Sequence, residues 1–172
     1  MSKLKNVKVL SASALLVAIA VVAGFFKIVL TPAIEIRFVS LPIAAAGVLF
    51  GPGIAAAVGA LSDIGGYIVN PTGPFFPGFT ISGMVSGLIF GICLHSPKRG
   101  VSIARIFTAE LLHTVIVGII LNTIWLTILY KNAFWALLPA RMIKELAMLP
   151  LNTFLLFCVI KPVSRISFLR EA

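Results

Sequence analysis

The sequence predicts an all-α membrane protein: a single domain, residues 1–172, folded as a six-transmembrane-helix bundle with N- and C-termini cytoplasmic. Three observations predict it. The chain is 60% hydrophobic and 11% charged, with a mean hydropathy of +1.13, too apolar for a domain that dissolves in water. Its apolar stretches are continuous rather than alternating, which favours helices over a β-barrel. Its 14 Lys and Arg, against 5 Asp and Glu, gather at the ends of those stretches, so they report orientation in a bilayer rather than a nucleic-acid partner. At roughly 20 residues per crossing, a chain of this length holds about six crossings and no separate soluble domain.

The first helix is expected from about Val7 to Leu30. Lys3, Lys5 and Lys8 before an apolar run imitate a signal peptide, but the run lacks a cleavage signature and is expected to be retained. Ala14 and Ala18, four apart, place small side chains on one surface of it, and Ala20 and Gly24 repeat the interval. That surface suits either a close helix partner or packing within the monomer. From Thr31 to Ser40, Ile34, Ile36 and Phe38 alternate with Glu35 and Arg37, the period of an extended segment with one covered face. The second helix, about Leu41 to Phe50, is closed by Gly51, Pro52 and Gly53 and is too short to span by itself.

The third helix, about Ile54 to Asn70, carries Asp63. An ionisable group costs roughly 2.5–3.5 kcal/mol at the centre of a spanning helix, so Asp63 is expected to face protein or a cavity. Pro71, Pro74 and Pro77, with Gly73 and Gly78, break the chain into a stiff, Phe-rich loop. The fourth helix, about Gly78 to Leu94, has a small-residue face at Gly83, Ser86, Gly87 and Gly91. The polar loop from His95 to Arg105 reads as cytoplasmic, with His95 solvated.

The fifth helix, about Ile106 to Tyr130, holds Glu110 and His113, three apart, and then Asn122 and Trp125, also three apart. The first pair suits a proton relay or, more simply, a structural ion pair with Arg105 or a neighbouring basic loop. The second suits a cavity or an interhelical hydrogen bond. The sixth helix, from Leu138 or Pro139 to Ile160, bends at Pro150. Arg141 and Glu145 are four apart and can pair, which leaves Lys144 as surplus charge.

With both ends inside, Lys3, Lys5, Lys8, Lys98, Arg99, Arg105, Lys161, Arg165 and Arg170 lie on the cytoplasmic side, the bias that orients membrane proteins. Lys27, Arg37, Arg141 and Lys144 remain as an outer basic cluster. It suits an anionic ligand, or snorkelling to the phosphates of membrane lipid. Cys93 and Cys158 lack paired spacing and read as reduced packing residues. No nucleotide-binding loop, zinc-ligand pair or nucleophile elbow is present, so neither a catalytic residue nor a cofactor or metal is expected.

Ala14 and Ala18 on the first helix, Leu41-Pro42 through Leu49-Phe-Gly-Pro52, Leu61-Ser-Asp-Ile-Gly-Gly66 and the loop from Pro71 to Thr80 together resemble the substrate-binding S components of energy-coupling factor (ECF) vitamin transporters. Phe76-Pro-Gly-Phe-Thr80, Leu121-Asn-Thr-Ile-Trp-Leu126 and Leu137-Leu-Pro-Ala-Arg-Met-Ile-Lys144 are most similar to the folate-specific members. The resemblance implies a multi-pass subunit of the bacterial plasma membrane that captures one vitamin from outside. It implies delivery inward after association with a transmembrane coupling protein and two cytoplasmic ATPases, with Ala14 and Ala18 against the coupling protein.

Folate joins a flat, hydrogen-bonding pterin to an aminobenzoyl ring and a glutamate. Phe75, Phe76, Phe79, Trp125 and Trp135 can supply stacking surfaces. Asn122 and Asp63 suit the pterin edge, and Arg37, Arg141 and Lys144 the glutamate carboxylates. Asp63 equally suits a structural or gating role. Two other readings stand beside this one: an S component for another vitamin or precursor, such as hydroxymethylpyrimidine or pantothenate, and a small membrane enzyme in which Asp63, Glu110 and His113 converge.

Overall fold

The computed structural model describes residues 6–26, 28–31, 34–36, 38–71, 75–95, 101–130 and 134–164. Helix α1 spans Val7–Phe25 and starts where the Asn6 side chain accepts the Lys8 backbone N–H at 3.1 Å. It stops five residues short of the expected Leu30. Ile28–Thr31 instead forms strand β1, paired antiparallel with β2, Ile34–Ile36, so the bundle is not wholly α-helical. The β-branched residues Ile28, Val29 and Thr31, with Pro32 next, favour extended backbone over continued helix. The alternation at Ile34 to Ile36 pointed to the second of these strands alone.

Helix α2, Ser40–Phe50, is buried from Pro42 to Phe50. Its 11 residues rise only about 16 Å, so it fills the middle of the bundle rather than crossing unaided. Gly51, at φ +89°, turns the chain directly into α3, Pro52–Val69, with Pro52 at the first helical position. Pro77 likewise starts α4, Pro77–Leu94. His95, expected to be solvated, is half-buried, with Nδ1 3.1 Å from the Val48 carbonyl and its ring against Gly51. The free carbonyls at the end of α2 supply the partner that solvent would otherwise provide.

Chain from Ile103 to Tyr130 forms one span in three parts: α5, Ile103–His113; a π-helical segment, Thr114–Leu121; and α6, Asn122–Tyr130. The last helix, α7, Phe134–Val163, starts earlier than expected and contains Pro139, Pro150 and Pro162. Among the described residues five helices are long and apolar enough to cross a membrane, with α2 as a shorter apolar helix. Leu15, Ile143 and Phe154 are more than half exposed, the outward apolar surface that lipid would cover.

Two packing regimes hold the bundle. Along α3 and α4, a Cβ on Gly59 would collide with the Gly83 carbonyl, and one on Gly87 with the Ala55 carbonyl. A Cβ on Gly47 would stand 2.9 Å from the Gly91 nitrogen, which brings α2 into the same seam. Lipid tails are as apolar as Leu, so close backbone approach of this kind, rather than escape from water, is what favours helix association in a bilayer. The apolar core gathers toward one end, where Val9, Phe90, Leu94, Ile106, Leu156 and Ile160 are all fully buried. Glu110 is fully buried there too. Among the described residues it faces His113, Nδ1 at 3.7 Å, and Phe90 lies over that imidazole at 5.0 Å. Among the described residues no hydrogen bond reaches either Glu110 oxygen, and its close partner is the His113 imidazole rather than Arg105; Lys98 and Arg99 of the basic loop lie outside the described residues.

Candidate functional site

The opposite end carries the polar side chains. The first turns of α4, the start of α6 and the first half of α7 meet there. Pro77 and Gly78 open α4, and a Cβ on Gly78 would collide with the rings of both Phe76 and Trp125, so only glycine admits this aromatic packing. Phe76 and Trp125 lie 5.7 Å apart at 54°, and Phe76 and Phe79 6.0 Å apart at 72°. These are tilted and edge-on contacts of the kind aromatic quadrupoles favour. Phe75 stands apart from this group, exposed and 5.1 Å from Tyr67 of α3.

Ser82 joins the aromatic group to Asn122. Its hydroxyl accepts the Trp125 indole N–H at 3.1 Å and donates to Asn122 Oδ1 at 3.0 Å. Ser82 is buried, while Asn122 and Trp125 are half-buried and so retain accessible surface. Asn122 and Trp125 are three apart on α6, which puts both side chains on the face that meets α4.

Asp63 belongs to a second cluster. Thr80 Oγ1 donates to Asp63 Oδ2 at 2.7 Å, a bond that fastens α3 to the first turn of α4. Thr80 and Ser82 are two apart on one helix, so they point to different sides of it. Asp63 is thereby held on the α3 side and Asn122 on the α6 side.

The third cluster lies one turn from Asn122 along the same span. Arg141 Nη1 donates to the Gly118 carbonyl at 3.2 Å, inside the π-helical segment. A Cβ on Gly118 would stand 2.9 Å from the Glu145 carboxyl, so α7 presses its Arg141 and Glu145 side chains onto the π segment. Lys144, which the spacing left as surplus charge, is 3.4 Å from Glu145, and both are half-buried. A backbone carbonyl keeps a second lone pair after its helical bond, so the Gly118 oxygen can accept from Arg141.

Ala14 and Ala18 are both exposed on α1, while Ala20, on another face, is buried. Arg37 lies outside the described residues, as do Lys27 and Lys131, and the Trp135 side chain is likewise not described. Asp63 does not meet Glu110 and His113 in any described contact. Their α4 neighbours, Thr80 and Phe90, are ten residues and therefore about 15 Å apart along the helix. Among the described residues no group of three or more His, Cys, Asp or Glu could hold a metal ion.

Sequence reasoning missed Ser82, Thr80 and Gly118. Thr80 was legible only as the last residue of the loop motif, Ser82 only as one residue of the helix that follows, and Gly118 only as one glycine in an apolar run. Their roles come from what lies opposite them, which no spacing within one helix discloses.

Residues 8–160 match the family described as ECF transporter, substrate-specific component. The chain is 36% identical over 168 residues to a folate transporter FolT of Clostridium novyi (strain NT), an alignment covering 98% of this chain and 96% of that protein. It is 33% identical over 128 residues to a folate transporter FolT of Leuconostoc mesenteroides, covering 71% and 68%. The crystal structure of FolT bound with folic acid superposes with a TM-score of 0.82 at 29% identity, covering 91% of this chain and 95% of that one. With its helical membrane bundle and a family match over nearly its whole length, the chain belongs to the substrate-specific components of ECF transporters.

Proposed function

We propose that the chain is the folate-binding subunit of an ECF transporter, captures folate outside the bacterial plasma membrane, and acts without catalysing a reaction itself. The observation that carries this reading is the 36% identity to a folate transporter over 98% of the chain. The likeness to a FolT structure holding folic acid supports it.

In this reading the pterin enters the polar end of the bundle. Phe76 and Trp125 offer ring faces, Phe79 backs Phe76, and Asn122 meets the pterin edge. Phe75, exposed at the loop before α4, closes over the ligand. Arg141 and Lys144, with Arg37 from the segment before α2, hold the glutamate carboxylates through charge-assisted bonds. Asp63 acts at a distance: its bond to Thr80 sets the first turn of α4 and hence the placement of Ser82. The exposed Ala14 and Ala18 surface docks on the transmembrane coupling protein, which with two cytoplasmic ATPases supplies the energy. Both termini lie in the cytoplasm, where the basic ends of the chain favour them.

Equilibrium binding of folate to the purified chain in detergent, measured by calorimetry beside pantothenate, thiamine and hydroxymethylpyrimidine, tests the reading. Saturable folate binding without ATP is expected. Binding of another vitamin and not folate by a folded sample would discard the substrate while keeping the family.

A further inference from the structure

At the end of α4 away from Thr80 and Ser82, a groove of about 340 Å³ opens between the last turns of α4 and the first turns of α5. Ile92 and Cys93 form one wall, and Ala104, Arg105 and Thr108 the other. Arg105 is half-buried there, and among the described residues no carboxylate lies within ion-pair distance of it. Thr108 donates to the Ala104 carbonyl at 2.8 Å, so the charged donor of the groove is the Arg105 guanidinium. Apolar surface continues from both walls toward the middle of the span. Leu88, four residues before Ile92, and Leu111 and Leu112, three and four after Thr108, are each more than a third exposed.

We propose that this groove is a binding site for an anionic phospholipid, with the phosphate on Arg105 and an acyl chain along Leu88, Ile92, Leu111 and Leu112. A guanidinium offers forked N–H donors that match two phosphate oxygens, and it is less strongly hydrated than an ammonium, so it suits a headgroup at the edge of the hydrocarbon. Basic pockets between spanning helices hold lipid headgroups in this way on the cytoplasmic side of membranes. Charge decides the kind of lipid. The stretch that joins His95 to Val101 adds Lys98 and Arg99 and no acidic residue. A zwitterionic headgroup brings its own cation to this basic chain; an anionic one brings none.

Cys93 provides a local reporter, because in a Cys158→Ser chain it is the only thiol. Phosphatidylglycerol titrated into this full-length chain in detergent should slow alkylation of Cys93 by a maleimide saturably, and phosphatidylcholine or inorganic phosphate should not. Arg105→Gln should raise the phosphatidylglycerol needed for half-protection by about fivefold, the worth of one basic side chain at a membrane surface. Its folate affinity should stay unchanged, since the groove and the polar cluster lie at opposite ends of α4. Ala104→Trp, at an exposed position, fills the groove and keeps the charge. Native mass spectrometry should find less phosphatidylglycerol retained by this variant than by the wild type, and that comparison decides the matter if Arg105→Gln does not fold or Cys93 resists the maleimide. Equal protection by phosphatidylcholine, unchanged half-protection in Arg105→Gln or full retention in Ala104→Trp would overturn the site. Protection by inorganic phosphate alone would make the ligand a free anion and overturn the lipid.

Discussion

At one end of the bundle Phe90, Leu94, Ile106, Leu156 and Ile160 are fully buried; at the other, Asn122, Trp125, Arg141 and Lys144 are half-buried and tied to neighbours by polar contacts. The glycine seam of α3 and α4 links the two ends, with Gly83 beside Ser82 and Gly91 beside Phe90. The first end needs only shape, because dispersion contacts accumulate wherever apolar atoms are close. The second needs direction, because a hydrogen bond weakens steeply when misaligned. A membrane receptor for a small polar ligand has both requirements: a frame that holds still, and a few polar groups whose orientation the frame imposes. The bond from Thr80 to Asp63 and the Ser82 bridge are where the frame acts on the polar end.

The comparison breaks most severely if the seam proves tolerant. Gly59→Val should drive α3 from α4, costing about 3 kcal/mol, the upper range for overpacking, and lower the thermal midpoint in detergent sharply. A near-native midpoint would mean that the seam is not the rigid element. At the polar end, Trp125→Ala should weaken folate by about thirtyfold, within the range of stacking between an aromatic side chain and a planar base, with a far smaller change in midpoint. Calorimetry and a melting scan on the same sample separate the two effects.

A smaller effect sharpens the division within the polar end. Arg141→Ala and Lys144→Ala should each weaken folate by about tenfold, while leaving a pterin without the glutamate tail nearly unchanged. Equal loss for both ligands would move these residues from ligand contact to support of the π segment, where Arg141 already bonds Gly118. The smallest effect is expected on α1. Ala14→Leu with Ala18→Leu should change folate affinity and stability little, since exposed substitutions usually fall within about 0.5 kcal/mol, yet stop uptake when the coupling subunits are present. Loss of binding would instead assign that surface to packing within the chain.

The frame was largely legible in the sequence. Gly51 with Pro52, and Pro77 with Gly78, bracket α3 and α4 to within two residues, because these residue types act locally through their own dihedrals. The strand Ile28–Thr31 was hidden because its apolar residues continue the hydrophobic run of α1, and an apolar run by itself does not tell helix from strand. The π segment was equally silent, since Thr114 to Leu121 is uniformly apolar or small. At the candidate site, spacing on one helix singled out Asn122 and Trp125, and the fold joins the two through Ser82. Ser82 was not found, because its role is set by residues forty and forty-three positions away. Lys144 was read as surplus charge for a related reason: helical spacing ranked Arg141 as the partner of Glu145, while in the fold Lys144 lies 3.4 Å from it.

The most direct measurement of whether folate occupies the polar end uses the chain's own fluorescence. Of its two tryptophans, Trp135 can be replaced by Phe, leaving Trp125 as the sole reporter beside Phe76 and Ser82. Folate titrated into this variant should quench Trp125 emission saturably, with the same dissociation constant that calorimetry gives. Calorimetric binding with unaltered Trp125 emission would place the ligand elsewhere and contradict the account.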